Sequence, residues 1–497
     1  MSRQNYKKDI KQKRKEERRL NKQTLVTTII FSFIFVFMLG YYVHFVLKDA
    51  PTVISSSQNG RIKEQAKKVV RGTIYAKGGE ELAYTDTNET PDDFEDDVRR
   101  YPYGKTFAQV VGYTTKGFTG LEDVCNYDLV MPKKNPLKQI EDDFTGKVLQ
   151  GCNINTTLDV DLQKTAYDSL GDFKGGIFVM DPDTGAVYVS ASKPSYNPEN
   201  LEENWEKLNK KTNAPFMNRS TQGRYMPGSV FKIVTTLAYM RQNSNYKDFQ
   251  FQCNGTTSFD HFKMKCYNGN VHGSESLEEA FANSCNGAFA SMGLEIDTDV
   301  FNRTAEDLLF NNPLPLSDLK TGTTSYVKSG SFELDETSEK YNDYYVAESS
   351  IGQQDVLVSP AQMAMIASAI ANHGVMMKPY LISEVVTDDG AVVKEAHQSE
   401  AKTLMTEKEA KQLSKYMAAV CQYGTAKIFA NCDYKAYGKT GTADLHSSGD
   451  GNVNSWFVGY AKKGDKKLAI AVVLDNIDDS QGSAKECAKK VFDRYFN

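Results

Sequence analysis

Three short segments carry residue types suited to acyl transfer. In Ser229-Val230-Phe231-Lys232 a hydroxyl and an amine stand one helical turn apart, so the amine can reach the hydroxyl oxygen and take its proton. Ser284-Cys285-Asn286 offers a second hydroxyl for proton relay and an amide for holding a substrate amide. Lys439-Thr440-Gly441-Thr442 offers a cation and two hydroxyls that suit a terminal carboxylate, on a segment that reads as a strand. Gly441 is expected to leave room for a ligand backbone against that strand's edge, which suits a peptide added as a further strand.

Each pattern alone is weak, since a chain this rich in Ser and Lys should hold roughly two or three S-x-x-K matches by chance. Ser317-Asp318-Leu319-Lys320 and Ser399-Glu400-Ala401-Lys402 fit the first pattern, Ser195-Tyr196-Asn197 the second, and Lys320-Thr321-Gly322-Thr323 the third. Context separates them. Ser229 follows Pro227-Gly228 and precedes Ile233, Val234, Leu237 and Ala238, an apolar face at helical spacing. It therefore opens a buried helix, where unpaired N–H groups and the positive dipole end favour developing negative charge. For Lys232 to act as a base its pKa must fall by several units, through burial or a second cation, and Lys439 is the candidate. Ser317 follows a Pro-rich loop, Ser399 has no apolar face, Ser195 precedes the nucleophile and a proline, and Lys320 leads into no strand pair.

The elements that position these residues can also be read. Gly176 to Asp181 and Ala186 to Ala191 flank the turn Pro182-Asp183-Thr184-Gly185 as a hairpin. Tyr434 to Ala443, Ser455 to Ala461 and Lys467 to Asp475 supply three more strands, and Ser483 to Phe496 a closing helix. Val230 to Met240, Leu277 to Met292, Pro360 to Asn372 and Thr406 to Gln422 read as helices, the last opening on a capping box of Thr406 and Glu409. Ser284 and Asn286, two apart, would diverge on a continuous helix, so a helix end or a loop between two helices is expected there. Residues 315–345 read as a polar surface insertion.

At 497 residues the chain has room for two or three domains. Residues 1–23 hold ten Lys or Arg against three acids, a net of +7, whereas the whole chain carries −5, leaving −12 for the remainder. Leu25 to Leu47 follows, 23 residues without a formal charge, enough to cross a bilayer of about 30 Å. The basic flank places the N-terminus in the cytoplasm and the rest outside, as an uncleaved anchor. Topology explains the positive arm, so nucleic-acid binding is not expected. Of the eight cysteines, Cys253 and Cys266 in a loop-rich stretch are the candidate disulfide, with two free thiols as the equal alternative. Cys285 reads as a small helix residue, and no Cys and His spacing points to a metal.

The three motifs, in this order, resemble the signature of penicillin-interacting serine enzymes. Thr157-Leu158-Asp159, Met180-Asp181-Pro182, Gly352-Gln353, Ser359-Pro360 and Trp456-Phe457-Val458-Gly459 extend the likeness to a class B penicillin-binding protein, from about residue 70 to the C-terminus. Arg71-Gly72-Thr73-Ile74-Tyr75 resembles the start of that family's pedestal, although Ala76-Lys77-Gly78-Gly79 replaces its usual continuation. The short pedestal resembles that of the penicillin-binding protein A type of Gram-positive bacteria.

The resemblance implies an α/β transpeptidase (β-lactamase-like) fold. Its parts would be a five-stranded antiparallel sheet between helices, a mostly helical subdomain, a small pedestal and one transmembrane helix. The expected division is a basic tail 1–23, a membrane helix 24–47, a pedestal 48–154 and a transpeptidase domain 155–497. It further implies a D,D-transpeptidase without cofactor that cross-links stem peptides and is acylated by β-lactams at Ser229. Lys232 would be the base, Ser284 the relay and Asn286 the substrate-amide ligand. Lys439, Thr440 and Thr442 would bind the carboxylate, with the Ser229 and Thr442 N–H groups as oxyanion hole. About 107 residues between anchor and catalytic domain leave no room for a glycosyltransferase, which implies a membrane glycan polymerase of the SEDS family and other divisome or elongasome proteins as partners. A D,D-carboxypeptidase, or a non-catalytic divisome scaffold or β-lactam sensor, are the competing readings.

Overall fold

The computed structural model describes residues 3–46, 64, 68–87, 97–133, 149–316, 320–321, 324–325, 327–445, 452–478, 480 and 482–497. It divides into two units, residues 1–60 and 61–497. In the first, Arg3–His44 forms one continuous helix, so the basic tail and the apolar stretch share a single element. This helix is long and apolar enough to cross a membrane. Leu47, the expected end of the span, lies outside the described residues.

The second unit is organised on a five-stranded antiparallel sheet in the order Lys435–Asp444, Val453–Lys463, Lys466–Ile477, Lys174–Met180, Val187–Lys193. The middle strand reads Leu468 to Leu474 without a polar residue and is buried throughout that run, as a strand covered on both faces requires. Neighbouring residues on a strand face opposite ways, and Trp456 and Phe457 show what covers each side. Phe457 packs on Phe492 of the C-terminal helix Ala484–Phe496, while Trp456 donates from Nε1 to Met226 O at 2.9 Å, beside the candidate nucleophile. The hairpin expected around Pro182 to Gly185 forms, pairing Gly176 with Ser192 and Val179 with Val189.

A mostly helical region adjoins the sheet, including Lys232–Gln242, Thr298–Asp307, Pro360–Ala371 and Glu407–Gln422. The capping box at Thr406 is present, with Thr406 Oγ1 accepting from Glu409 N and Glu409 Oε2 accepting from Thr406 N. The single helix expected over Leu277 to Met292 is instead two, Leu277–Ala282 and Asn286–Glu295. The break lies at Ser284, whose φ of 58° is incompatible with a right-handed helix.

The segments before residue 155 form strands Ile74–Tyr75, Glu81–Asp86 and Val98–Arg100 and several short helices. They join a six-stranded sheet whose other members are Asn153–Thr156, Ile382–Val386 and Val392–Glu395. Ile74 pairs with Ile154 in parallel, and Ile154 pairs with Val385 on its other side. The expected boundary between residues 154 and 155 therefore falls inside a strand shared by both parts. Beneath this sheet Glu122 is fully buried, accepting from Arg71 Nε and Arg99 Nε at 2.7 Å each. Burial alone would raise its pKa, but the two guanidiniums outweigh it and hold the carboxylate below its ordinary value.

Glu122→Ala should leave those two largely buried guanidiniums unpaired. The expected cost is about 3–5 kcal/mol, read as a lower denaturation midpoint of residues 61–497, with Glu122→Gln recovering part of it.

Candidate active site

Ser229 lies in a 3₁₀ turn, Gly228–Phe231, that leads into the helix Lys232–Gln242. Val230 and Phe231 anchor the turn in the core, whereas Ser229 is only half-buried, so its hydroxyl stays accessible. The turn is held from several directions. Gly228 has φ +53°, and a Cβ there would stand 2.3 Å from Thr442 O, so only glycine fits. Its N–H donates to Gly352 O at 2.9 Å, and Trp456 holds Met226 O just upstream.

Two lysines converge beside it on one hydroxyl. Lys439 Nζ donates to Ser284 Oγ at 2.8 Å and to Thr440 O at 3.0 Å. Lys232 Nζ donates to Ser284 O at 2.8 Å, Ser284 Oγ at 3.3 Å and Asn286 Oδ1 at 2.8 Å. Both ammonium groups are fully buried, with Lys232 over the Phe289 ring and Lys439 over Phe281. Burial lowers the Lys232 pKa to about 8, a fall only partly offset by the nearby Cys285, Cys266 and Glu275. Burial, reinforced by the charge of Lys232, holds Lys439 well below its ordinary value. Two cations this close repel one another, so the loss of a proton from one of them is eased.

The sequence put the Lys232 amine within reach of Ser229. In this structure the hydrogen-bond partners of its Nζ are instead Ser284 O, Ser284 Oγ and Asn286 Oδ1. Asn286 is engaged at both ends, its Nδ2 donating to Lys265 O at 2.9 Å. Ser284 occupies the loop between two helices that its spacing with Asn286 required, and its left-handed backbone is what turns both its carbonyl and its hydroxyl towards the lysines.

Lys439, Thr440, Gly441 and Thr442 lie on the Lys435–Asp444 strand, which pairs on one side only among the described strands. That open edge is where an extended peptide can add. Gly441 does not face it. A Cβ at Gly441 would meet Pro227 O at 2.7 Å and Val230 N at 3.0 Å, so its missing side chain admits the nucleophile's turn and not a ligand backbone. Thr440 and Thr442 are half-buried on the other side of the pleat, and Thr440 Oγ1 shares a 2.5 Å hydrogen bond with Thr425 Oγ1. Thr425 gave no signal in the sequence, because only the fold brings it to the strand.

The decoys sit elsewhere. Ser195 Oγ donates to Lys105 O, and Ser399 is exposed ahead of the strand Glu400–Thr403. Ser317 to Leu319, Gly322 and Thr323 lie outside the described residues. Cys253 and Cys266, the candidate disulfide, do adjoin, but their sulfurs are 3.7 Å apart against the roughly 2.05 Å of a bond, and both thiols are free. Cys266 is as close to Cys285 as to Cys253, so pairing either couple would draw the cluster apart. Cys285 is no ordinary helix residue either, but the N-cap of Asn286–Glu295.

Ser284→Gly should separate conformation from chemistry. It removes the penalty of a left-handed non-glycine residue, so thermal stability should hold or rise by up to about 1 kcal/mol, while loss of the hydroxyl bridging both lysines should slow any acylation at Ser229 by about a hundredfold.

The chain is similar to known proteins along most of its length. Residues 175–493 match the penicillin binding protein transpeptidase domain, and residues 71–154 match the penicillin binding protein A dimerisation domain. Peptidoglycan D,D-transpeptidase PbpA of Mycolicibacterium smegmatis is 29% identical over 436 residues, 82% of this chain and 84% of that protein. The imipenem acyl-enzyme of penicillin-binding protein A from M. tuberculosis superposes with a TM-score of 0.75 at 25% identity, covering 87% of this chain and all of that one. The D,D-transpeptidase domain of a peptidoglycan glycosyltransferase from Eggerthella lenta gives 0.74 at 27% identity, over 86% and 98% of the two chains. With the first of these matches spanning well over half of its residues, the chain belongs to the penicillin-binding protein transpeptidase family.

Proposed function

We propose that this protein is a membrane-anchored peptidoglycan D,D-transpeptidase in which Ser229 is the nucleophile. The observation that carries this reading is the pair of buried lysines converging on Ser284 beside the accessible Ser229 turn and an open strand edge. A stem peptide would lie along that edge, its terminal carboxylate held by Lys439, Thr440 and Thr442 and its amide by Asn286. Lys232, in its neutral form, would accept the Ser229 proton as Oγ attacks the penultimate D-Ala carbonyl. For this the amine must turn from Ser284 O or Asn286 Oδ1 towards Ser229, a rotation of its terminal bonds within the same pocket. The oxyanion would be received by the N–H groups of Ser229 and Thr442. Ser284, in contact with both lysines, would carry the proton to the departing amine, so that the peptide C–N bond breaks and D-Ala leaves.

The amine of a neighbouring stem peptide then attacks the ester, a new amide forms, and the proton returns to Ser229. A β-lactam would enter the same first half-reaction and stop at the ester. We assign the domains as a tail at 1–23, a membrane helix at 24–47, a pedestal at 48–154 and a transpeptidase domain at 155–497, the last two sharing the strand Asn153–Thr156. The basic flank of the apolar helix supports a cytoplasmic N-terminus and an extracytoplasmic catalytic unit in the bacterial cell membrane. A membrane glycan polymerase of the SEDS family, within a divisome or elongasome, is the partner that such an enzyme requires.

Fluorescent penicillin should label the wild-type chain on the peptide containing Ser229, and Ser229→Ala should abolish the label while leaving the fold intact. With a D-Ala-D-Ala peptide and an excess of amine acceptor, the amide product should exceed the hydrolysed peptide. Hydrolysis alone would make the enzyme a carboxypeptidase, and labelling that survives Ser229→Ala would remove Ser229 from the mechanism.

A further inference from the structure

Thr425 belongs to none of the three motifs, yet its polar groups are bonded to three different elements around the active site. Its N–H donates to Ala282 O at 3.2 Å, at the end of the helix Leu277–Ala282 that runs into the Ser284 turn. Its carbonyl accepts from Lys485 Nζ at 3.2 Å, in the first turn of the C-terminal helix Ala484–Phe496. Its hydroxyl meets Thr440 Oγ1 at 2.5 Å, on the strand that carries Lys439. The neighbours of Thr425 are fixed as well. Gly424 lies so near the same helix end that a Cβ there would stand 2.3 Å from Ala282 O, and Ala426 is fully buried, its N–H donating to Val420 O at 3.0 Å. The Thr425 side chain is therefore placed by its backbone, not by chance rotation of a loose loop.

The direction of the hydroxyl pair decides what Thr440 can do. A hydroxyl has one proton to donate, whereas an ionised carboxylate only accepts. Thr440 is half-buried on the same side of its strand as Thr442, where the terminal carboxylate of a peptide added to the open edge would lie. Were Thr440 to donate to Thr425, it would turn lone pairs towards that carboxylate and repel it. With Thr425 as donor, the Thr440 proton is free for the carboxylate, and the bond it receives polarises it into a stronger donor. The Thr440 carbonyl is already engaged, accepting from Lys439 Nζ at 3.0 Å, so the side chain is the part of Thr440 left to meet a ligand.

We propose that Thr425 is a positioning residue for the substrate carboxylate: by donating to Thr440 Oγ1 it directs the Thr440 proton outward and makes the strand selective for ligands that end in an anion. Thr425 acts through Thr440 and touches no substrate itself. Its bonds to Ala282 O and Lys485 Nζ keep the hydroxyl at Thr440, and they also tie the end of the helix before Ser284 to the strand that carries Lys439. A pairing that was only structural would hold in either direction and would serve a neutral ligand as well as an anionic one. The assignment rests on the Ser229 reading above, since the carboxylate matters here only in a ligand that Ser229 then attacks.

The test uses the full chain in detergent and two ligands that differ only at the carboxylate, benzylpenicillin and its methyl ester. Rate constants for acylation of Ser229 are read by competition with fluorescent penicillin. Wild type should prefer the acid by about tenfold or more. Thr425→Val, close in shape but with no proton to donate, should slow acylation by the acid about tenfold and by the ester less than about twofold. Thr425→Ser should keep the wild-type ratio. Because the effect passes through Thr440, Thr440→Val should lose the same selectivity, and Thr425→Val/Thr440→Val should lose no more than Thr440→Val alone. If Thr425→Val does not fold, Thr425→Ala carries the same comparison. Equal slowing towards both ligands, a ratio unchanged by Thr425→Val, or a serine variant that behaves like the valine one overturns the positioning role and leaves Ser229 as nucleophile. A wild type that is acylated at Ser229 without preferring the acid overturns it too. A wild type that neither ligand acylates at Ser229 overturns the Ser229 reading, and the role of Thr425 falls with it.

Discussion

Lys232 and Lys439 both donate to the hydroxyl of Ser284 from fully buried positions, and this convergence of two amines on one oxygen constrains most of what surrounds it. Burying one ammonium is costly, and burying two side by side is tolerable only if one gives up its charge or both find close acceptors. The fold supplies the acceptors from Ser284 O, Asn286 Oδ1 and Thr440 O, and it supplies the desolvation with Phe281 and Phe289. The result is an amine whose proton affinity is brought towards neutrality, which an ordinary surface lysine cannot offer.

Three scaffolds have to agree for that convergence to exist. The core helix brings Lys232, the edge strand brings Lys439, and the turn between two short helices brings Ser284 and Asn286. Gly228 and Gly441 let the first two approach until backbone meets backbone, and Trp456 ties the nucleophile's loop to the sheet. The turn is the least regular of the three and carries the backbone strain, and the thiol cluster lies immediately behind it through Cys285. Strain at a functional residue persists only where the surroundings over-determine it, and the two lysines that bond Ser284 are part of those surroundings.

Much of this was legible in the sequence because it rests on local signals. The capping box at Thr406, the apolar face following Ser229 and the alternating or wholly apolar strands after Tyr434 each report their own structure within a few residues. The spacing of Ser284 and Asn286 even required a break, although the run Leu277 to Met292 otherwise reads as one helix. What the sequence hid depends on distant partners. Ile74 pairs with Ile154 and Ile154 with Val385, across separations no periodicity encodes. Thr425 meets Thr440 only through packing of a helix end on a strand. Cys253, Cys266, His272 and Cys285 lie at intervals of 13, 6 and 13 residues, and only the fold gathers them behind the Ser284 turn.

The pH dependence of Ser229 acylation by a β-lactam without ionisable groups near neutrality tests the central claim most directly, namely that Lys232 acts as a neutral base made so by burial. Because its folded pKa is lowered to about 8, the amine is protonated and inactive below that value and neutral above it. The acylation rate constant should therefore rise along a single limb with its midpoint near pH 8, level off above it, and lose that limb in Lys232→Ala. A rate that is flat between about pH 6 and pH 10, or one whose limb survives removal of the Lys232 amine, would contradict the account.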